Sequence, residues 1–116
     1  MSNDYYLYCV ILKNCPYSQA AHELLNSYKN IKKDFTFIER SEMENYKTDL
    51  ISTFPQIYLK RYNTNGTKLI GGYTDLKNII DTFKDNINKE SLKNFIKNNN
   101  SWNKKSLLRL IELINS

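Results

Sequence analysis

Residues 6–16 read Tyr6-Leu7-Tyr8-Cys9-Val10-Ile11-Leu12-Lys13-Asn14-Cys15-Pro16. The first seven are β-branched, aromatic and nearly wholly apolar. Too short for a stable lone helix, they predict a strand buried on both faces. Pro16 suits a first helical position, where its missing N–H costs nothing. Beyond it Ala20, Ala21, Leu24, Leu25 and Tyr28 recur at helical spacing, predicting a helix over 16–29. Working outward, Phe35, Phe37 and Ile38 predict a second strand over 34–39. Ser41, with Glu44 three residues on, reads as a capping box opening a helix through Ile51. Gln56–Leu59 and Thr67–Ile70 form two more strands, joined by a turn whose positive-φ residues are expected at Asn65-Gly66. Gly71-Gly72 breaks the chain, and Leu76, Ile79, Ile80 and Phe83 share one face of a further helix.

The order is βαβ, then α, a β-hairpin and α. The first two strands are expected to run parallel through a right-handed crossover, with helices covering both faces of the sheet. After Asp85 the character changes. Leu92, Phe95 and Ile96 predict one short helix, and Leu107, Leu110, Ile111 and Ile114 another, with Asn98–Asn100 as a turn and Trp102 as an anchor. These two helices carry no evident chemistry and are read as packing elements. Residues 1–85 are thus the main domain, and 86–116 a helical extension packed on it.

The length of 116 residues suits one domain. Hydrophobic residues at 41% and aromatics at 13% are too abundant for a disordered chain. No apolar run approaches the ~20 residues of a membrane span. Met1-Ser2-Asn3-Asp4 lacks the basic-then-apolar order of a secretory signal, so a cytoplasmic protein without membrane contact is expected. Two cysteines, Cys9 and Cys15, are too few for a secreted disulfide framework and are expected to be free thiols. The net charge of +5 comes from lysines scattered along the chain, which predicts a solvated surface and no nucleic-acid partner. Two cysteines and one histidine offer no zinc spacing, and no metal is expected. A monomer is expected.

Cys15-Pro16-Tyr17-Ser18 falls where the first strand meets the first helix. A thiol there faces unpaired backbone N–H groups and the positive end of the macrodipole, both of which favour thiolate over thiol. Lys13 adds a nearby charge. The plain alternative is a small apolar cap residue that happens to be cysteine. Thr53-Phe54-Pro55-Gln56 sets a proline before an apolar strand. Gly71-Gly72-Tyr73-Thr74-Asp75-Leu76 opens a helix, with Thr74 as candidate cap and Asp75 in the first turn, a geometry suited to an anion. Each segment alone is also ordinary turn or cap chemistry. Cys9 is read as core packing, six residues upstream in a buried strand and out of disulfide reach. His22 stands about 10 Å of helical rise from Cys15, too far to act as its base.

These three segments, in this order, resemble a glutaredoxin of the thioredoxin-like fold over residues 6–85. The resemblance implies an α/β fold with a four-stranded mixed sheet flanked by helices, and glutathione as co-substrate. Cys15 would be the nucleophile and Pro55 a cis-proline lying against it. The backbone of Phe54 would pair with the cysteinyl part of glutathione. Thr74, through its backbone N–H, and Asp75 would hold the two charges of the γ-glutamyl end. Gly72 and Tyr73 would shape the approach and Tyr17 would line the groove. Lys13 is the candidate for the glycyl carboxylate, one place nearer the nucleophile than the family's lysine, whose position Leu12 takes. Ser18 replaces the family's second cysteine, which implies a monothiol enzyme acting on glutathionylated proteins. The segment Asp49-Leu50-Ile51-Ser52 lacks the glycine and the basic or amide residue of relatives, so that its contribution to glutathione binding is either absent or supplied by Lys47. Two other readings stay open: a carrier of a glutathione-ligated iron–sulfur cluster, disfavoured by the stiff Pro16-Tyr17 pair, and an interaction module using the C-terminal helices.

Overall fold

The computed structural model describes residues 4–116, so the signal-peptide reading of Met1–Asn3 lies outside the described residues. Strand β1 spans Tyr5–Leu12, helix α1 Pro16–Asn26 and strand β2 Lys33–Ile38. A 3-10 helix follows at Arg40–Asn45, then β3 at Gln56–Arg61 and β4 at Thr67–Gly71. Helices α2 (Tyr73–Phe83), α3 (Lys89–Asn98) and α4 (Lys104–Ile114) complete the chain.

The sheet order is β2-β1-β3-β4. β1 runs parallel to β2 and antiparallel to β3, and β4 runs antiparallel to β3. This is a thioredoxin-like topology: a four-stranded mixed sheet flanked by helices. β1 is buried on both faces over its C-terminal half, as its apolar run predicts. Leu7, Cys9 and Ile11 face the larger core with Ala21, Leu25, Ile57, Ile80 and Phe83. Val10 and Leu12 face a smaller one with Ile38 and Phe54. The larger core is continuous with residues of the extension, including Trp102, Leu107, Leu110 and Ile114.

Four local expectations are corrected. α1 stops at Asn26, where Ser27 Oγ donates to the Leu24 carbonyl at 2.6 Å and draws the chain into a turn. The helix expected over 41–51 is only the 3-10 helix. Its box is formed by Glu39 and Glu42, not Ser41 and Glu44. Downstream, Thr48 Oγ1 accepts N–H bonds from Leu50 and Ile51, a local turn that competes with helical bonding. In the hairpin the left-handed residue is Asn63, φ 66°, within a longer loop in which Gly66 N–H donates to Thr64 Oγ1. Finally, α2 is capped by Gly72 and not by Thr74, which lies inside its first turn.

Candidate active site

Three chain reversals meet at the C-terminal end of β1. Asn14, in the left-handed region with φ 63°, turns the strand toward α1. Asparagine tolerates this conformation better than most residues. Cys15 is then the N-cap of α1, with Pro16 at the first helical position and Gln19 N–H donating to the Cys15 carbonyl at 2.9 Å. Ser18 faces inward and is fully buried; its Oγ accepts the Leu12 N–H at 3.1 Å. Ser18 thus ties the helix to the end of the strand.

The second reversal is at Phe54-Pro55, whose peptide bond is cis. Phe54 is buried beside Cys15, and its carbonyl oxygen lies 3.9 Å from Cys15 Sγ. The third is at Gly71-Gly72. Gly71 has φ +133°, and a Cβ there would come within 2.2 Å of Asp75 Oδ2. Only glycine leaves room for that carboxylate, which accepts the Gly72 N–H at 2.9 Å. A Cβ at Gly72 would sit 3.7 Å from the Pro55 carbonyl oxygen, so the proline bend and the start of α2 lie side by side.

Between these reversals runs a groove of about 500 Å3. Seven of the candidate glutathione-binding residues line it: Tyr17, Phe54, Pro55, Gly72, Tyr73, Thr74 and Asp75. Cys15 is half-buried and packs against the smaller core; it is not one of the groove's lining residues but touches its edge at the Phe54 carbonyl. Tyr17 is 63% exposed, and its ring stands 6.4 Å from that of Tyr73, which is partly buried against the larger core. Three apolar lining residues, Leu50, Ile51 and Leu69, escaped the sequence reading. Leu50 is 81% exposed, and an apolar side chain in a polar loop with no core to join was the available signal.

Lys13 is placed elsewhere. It borders a separate depression with Asn14, His22 and Phe37, and its ammonium lies 2.7 Å from Glu39. That hydrogen bond pushes the Lys13 pKa up. Two residues before the thiol, it meets a carboxylate at the end of β2 and not the groove. Lys47 is likewise paired, with Glu44 at 2.8 Å. Cys9 is fully buried in β1, and desolvation pushes its thiol up to about 12. His22 packs edge-on against Phe35 and Phe37, consistent with a structural role. Among the described residues no group of three or more His, Cys, Asp and Glu could hold a metal ion, and no helix is long and apolar enough to cross a membrane.

No family model and no curated protein matches the chain. Among solved structures it is similar to glutaredoxin 1 from Francisella tularensis, crystallised in complex with cacodylate. The two are 28% identical, with 66% of this chain and 93% of that chain covered and a TM-score of 0.48.

Proposed function

We propose that the chain is a glutathione-dependent thiol–disulfide oxidoreductase of the monothiol type, which reduces mixed disulfides between proteins and glutathione. One observation supports this reading above the others: the half-buried Cys15 thiol at the N-cap of α1 abuts Phe54-Pro55 at the edge of a groove that ends on the first turn of α2. A tripeptide laid along that groove presents its cysteinyl sulfur to Cys15 and its γ-glutamyl charges to Thr74 N–H and Asp75. Its backbone pairs with Phe54 as a short added strand.

The cycle has two exchanges. Cys15 attacks, as thiolate, the glutathione sulfur of the mixed disulfide. The S–S bond breaks, the target thiolate leaves and takes a proton, and Cys15 is bonded to glutathione. A second glutathione, as thiolate, then attacks the bound glutathione sulfur, releasing oxidised glutathione and regenerating Cys15. One mixed disulfide and one reduced glutathione thus give one free target thiol and one oxidised glutathione, so the disulfide bond is passed on with no outside oxidant or reductant. Holding the first glutathione fixes which sulfur is attacked, so orientation lowers the barrier. Ser18 has no sulfur with which to form an internal bridge. The cytoplasm, where glutathione is kept reduced, suits this chemistry.

The test is turnover of a glutathionylated peptide with glutathione as reductant, coupled to reduction of the oxidised product. Turnover is expected from the wild type and none above background from Cys15→Ser. Undiminished turnover in Cys15→Ser overturns the reading.

A further inference from the structure

A second cleft, of about 450 Å3, lies at the end of the sheet away from Cys15. The start of β1, the end of β3 and the hairpin to β4 form one wall, and the first two turns of α4 form the other. Tyr5, over whose ring the Arg61 guanidinium lies at 5.7 Å, and the buried Leu59 form its floor. Four cations border them: Arg61, Lys68, Lys105 and Arg109. They come from three separate elements, and among the described residues no carboxylate lines the cleft.

The positive charge there is poorly compensated. Asp4 reaches Arg61 at 3.9 Å and Glu112 reaches Arg109 at 3.0 Å, both as exposed ion pairs. Such pairs are worth only about 0–1 kcal/mol and yield readily to a stronger anion. The Lys68 ammonium meets neutral groups, the Ser101 carbonyl and the face of the Trp102 ring at 5.1 Å. Lys105 is exposed, and among the described residues no ion pair holds it. Two guanidinium groups and two ammoniums thus line one cleft, and a guanidinium fork matches an oxyanion well. The volume exceeds what a bare oxyanion needs and falls in the range of about 300–1,000 Å3 typical of small-molecule sites.

We propose that this cleft is a second binding site, for a small organic phosphate. The phosphoryl end is held by Arg61, Lys68, Lys105 and Arg109, and a ring or other apolar body rests against Tyr5 and Leu59. Tyr5 and Leu12 close opposite ends of β1, about 23 Å apart at strand rise, so the two sites can be filled together. The proposal does not depend on the redox reading, and the C-terminal extension is essential to it because α4 supplies half the cleft.

The test is calorimetric titration of the full chain at physiological ionic strength, without divalent cations. ATP serves as the ring-bearing probe and inorganic tripolyphosphate as charge alone. Saturable one-to-one binding is expected, tighter for ATP. The double variant Arg61→Gln/Lys105→Gln weakens it about tenfold or more, whereas Lys29→Gln/Lys89→Gln changes it less than about twofold. All four side chains are exposed, and an unchanged Tm without ligand verifies the fold. Amide shifts on ATP addition, which need no variant, are expected in the β3–β4 hairpin and α4. No saturable binding at millimolar probe overturns the proposal. So do equal weakening in both double variants, equal affinity for the two probes, or shifts centred on the first turn of α2.

Discussion

Cys9 and Cys15 are six residues apart and have opposite surroundings. Cys9 is sealed between sheet and helices, and burial holds its proton to about pH 12 against an ordinary value of 9.0. The unfolded chain loses that proton first, so above pH 9 the native state binds more protons and stability falls as pH rises through the window from about 9 to 12. The slope from one such group is at most about 1.4 kcal/mol per pH unit. In Cys9→Ala the urea midpoint is expected to fall less between pH 8 and pH 10.5 than in the wild type; parallel declines would exclude Cys9 as a source. Ser18 gives a second prediction at this scale. Its substitution by alanine strands the buried Leu12 N–H, costing about 1–3 kcal/mol, read as a lower denaturant midpoint. A midpoint unchanged by Ser18→Ala would mean that water or a shifted backbone satisfies that amide.

Among the elements, the start of α2 is the most constrained. Gly71 lies at φ +133° and within 2.2 Å, by its absent Cβ, of the Asp75 carboxylate. Gly71→Ala is therefore expected to cost about 1–3 kcal/mol in stability and, under the proposed function, to raise the KM for glutathione, since Asp75 must move. Gly72→Ala, whose Cβ meets only an ordinary 3.7 Å contact, is expected to be milder in both measurements. Equal effects would show that the left-handed backbone is not what fixes this turn. Elements governed by their own pattern were legible in the sequence: β1 by its apolar run, α1 and α2 by helical spacing, and the Gly71-Gly72 break. The segment after β2 was not, because Thr48 offers its backbone a turn that the Ser41–Glu44 pattern does not reveal. Seven groove residues could be named because the Cys-Pro, Phe-Pro and Gly-Gly segments carried a resemblance that implied them, and the structure places all seven along one groove. Lys13 could not be placed: its partner, Glu39, is brought to it only by the parallel pairing of β1 with β2. The same holds for the basic cleft, which exists only once α4 folds back on the hairpin.

Across the whole molecule, the extension is part of the core. Leu107, Leu110, Ile111, Leu113 and Ile114 are essentially fully buried, in one cluster with Leu7, Leu76 and Phe83. A latch joins the two parts: Asn115 accepts the Asp85 N–H through Oδ1 at 2.7 Å and donates through Nδ2 to the Phe83 carbonyl at 3.1 Å. Each buried aliphatic side chain is worth about 1.5–3 kcal/mol, so five rival the roughly 5–15 kcal/mol by which a domain is stable. A chain ending at Asp85 is expected to lose its cooperative thermal transition, followed by circular dichroism. A sharp transition within a few degrees of the full chain would show that residues 86–116 are dispensable for folding.

β1 has a strand bonded along each edge and apolar packing against both faces, while β2 and β4 form the rims and α3 buries a single residue, Leu92. Fraying starts where backbone bonds are exposed and packing is thin. Transient melting of α3 or peeling of a rim strand therefore spares the hub from which the Asn14 turn projects its thiol. The Cys15 sulfur is moored to the part of the protein with the most packing and backbone bonding to lose.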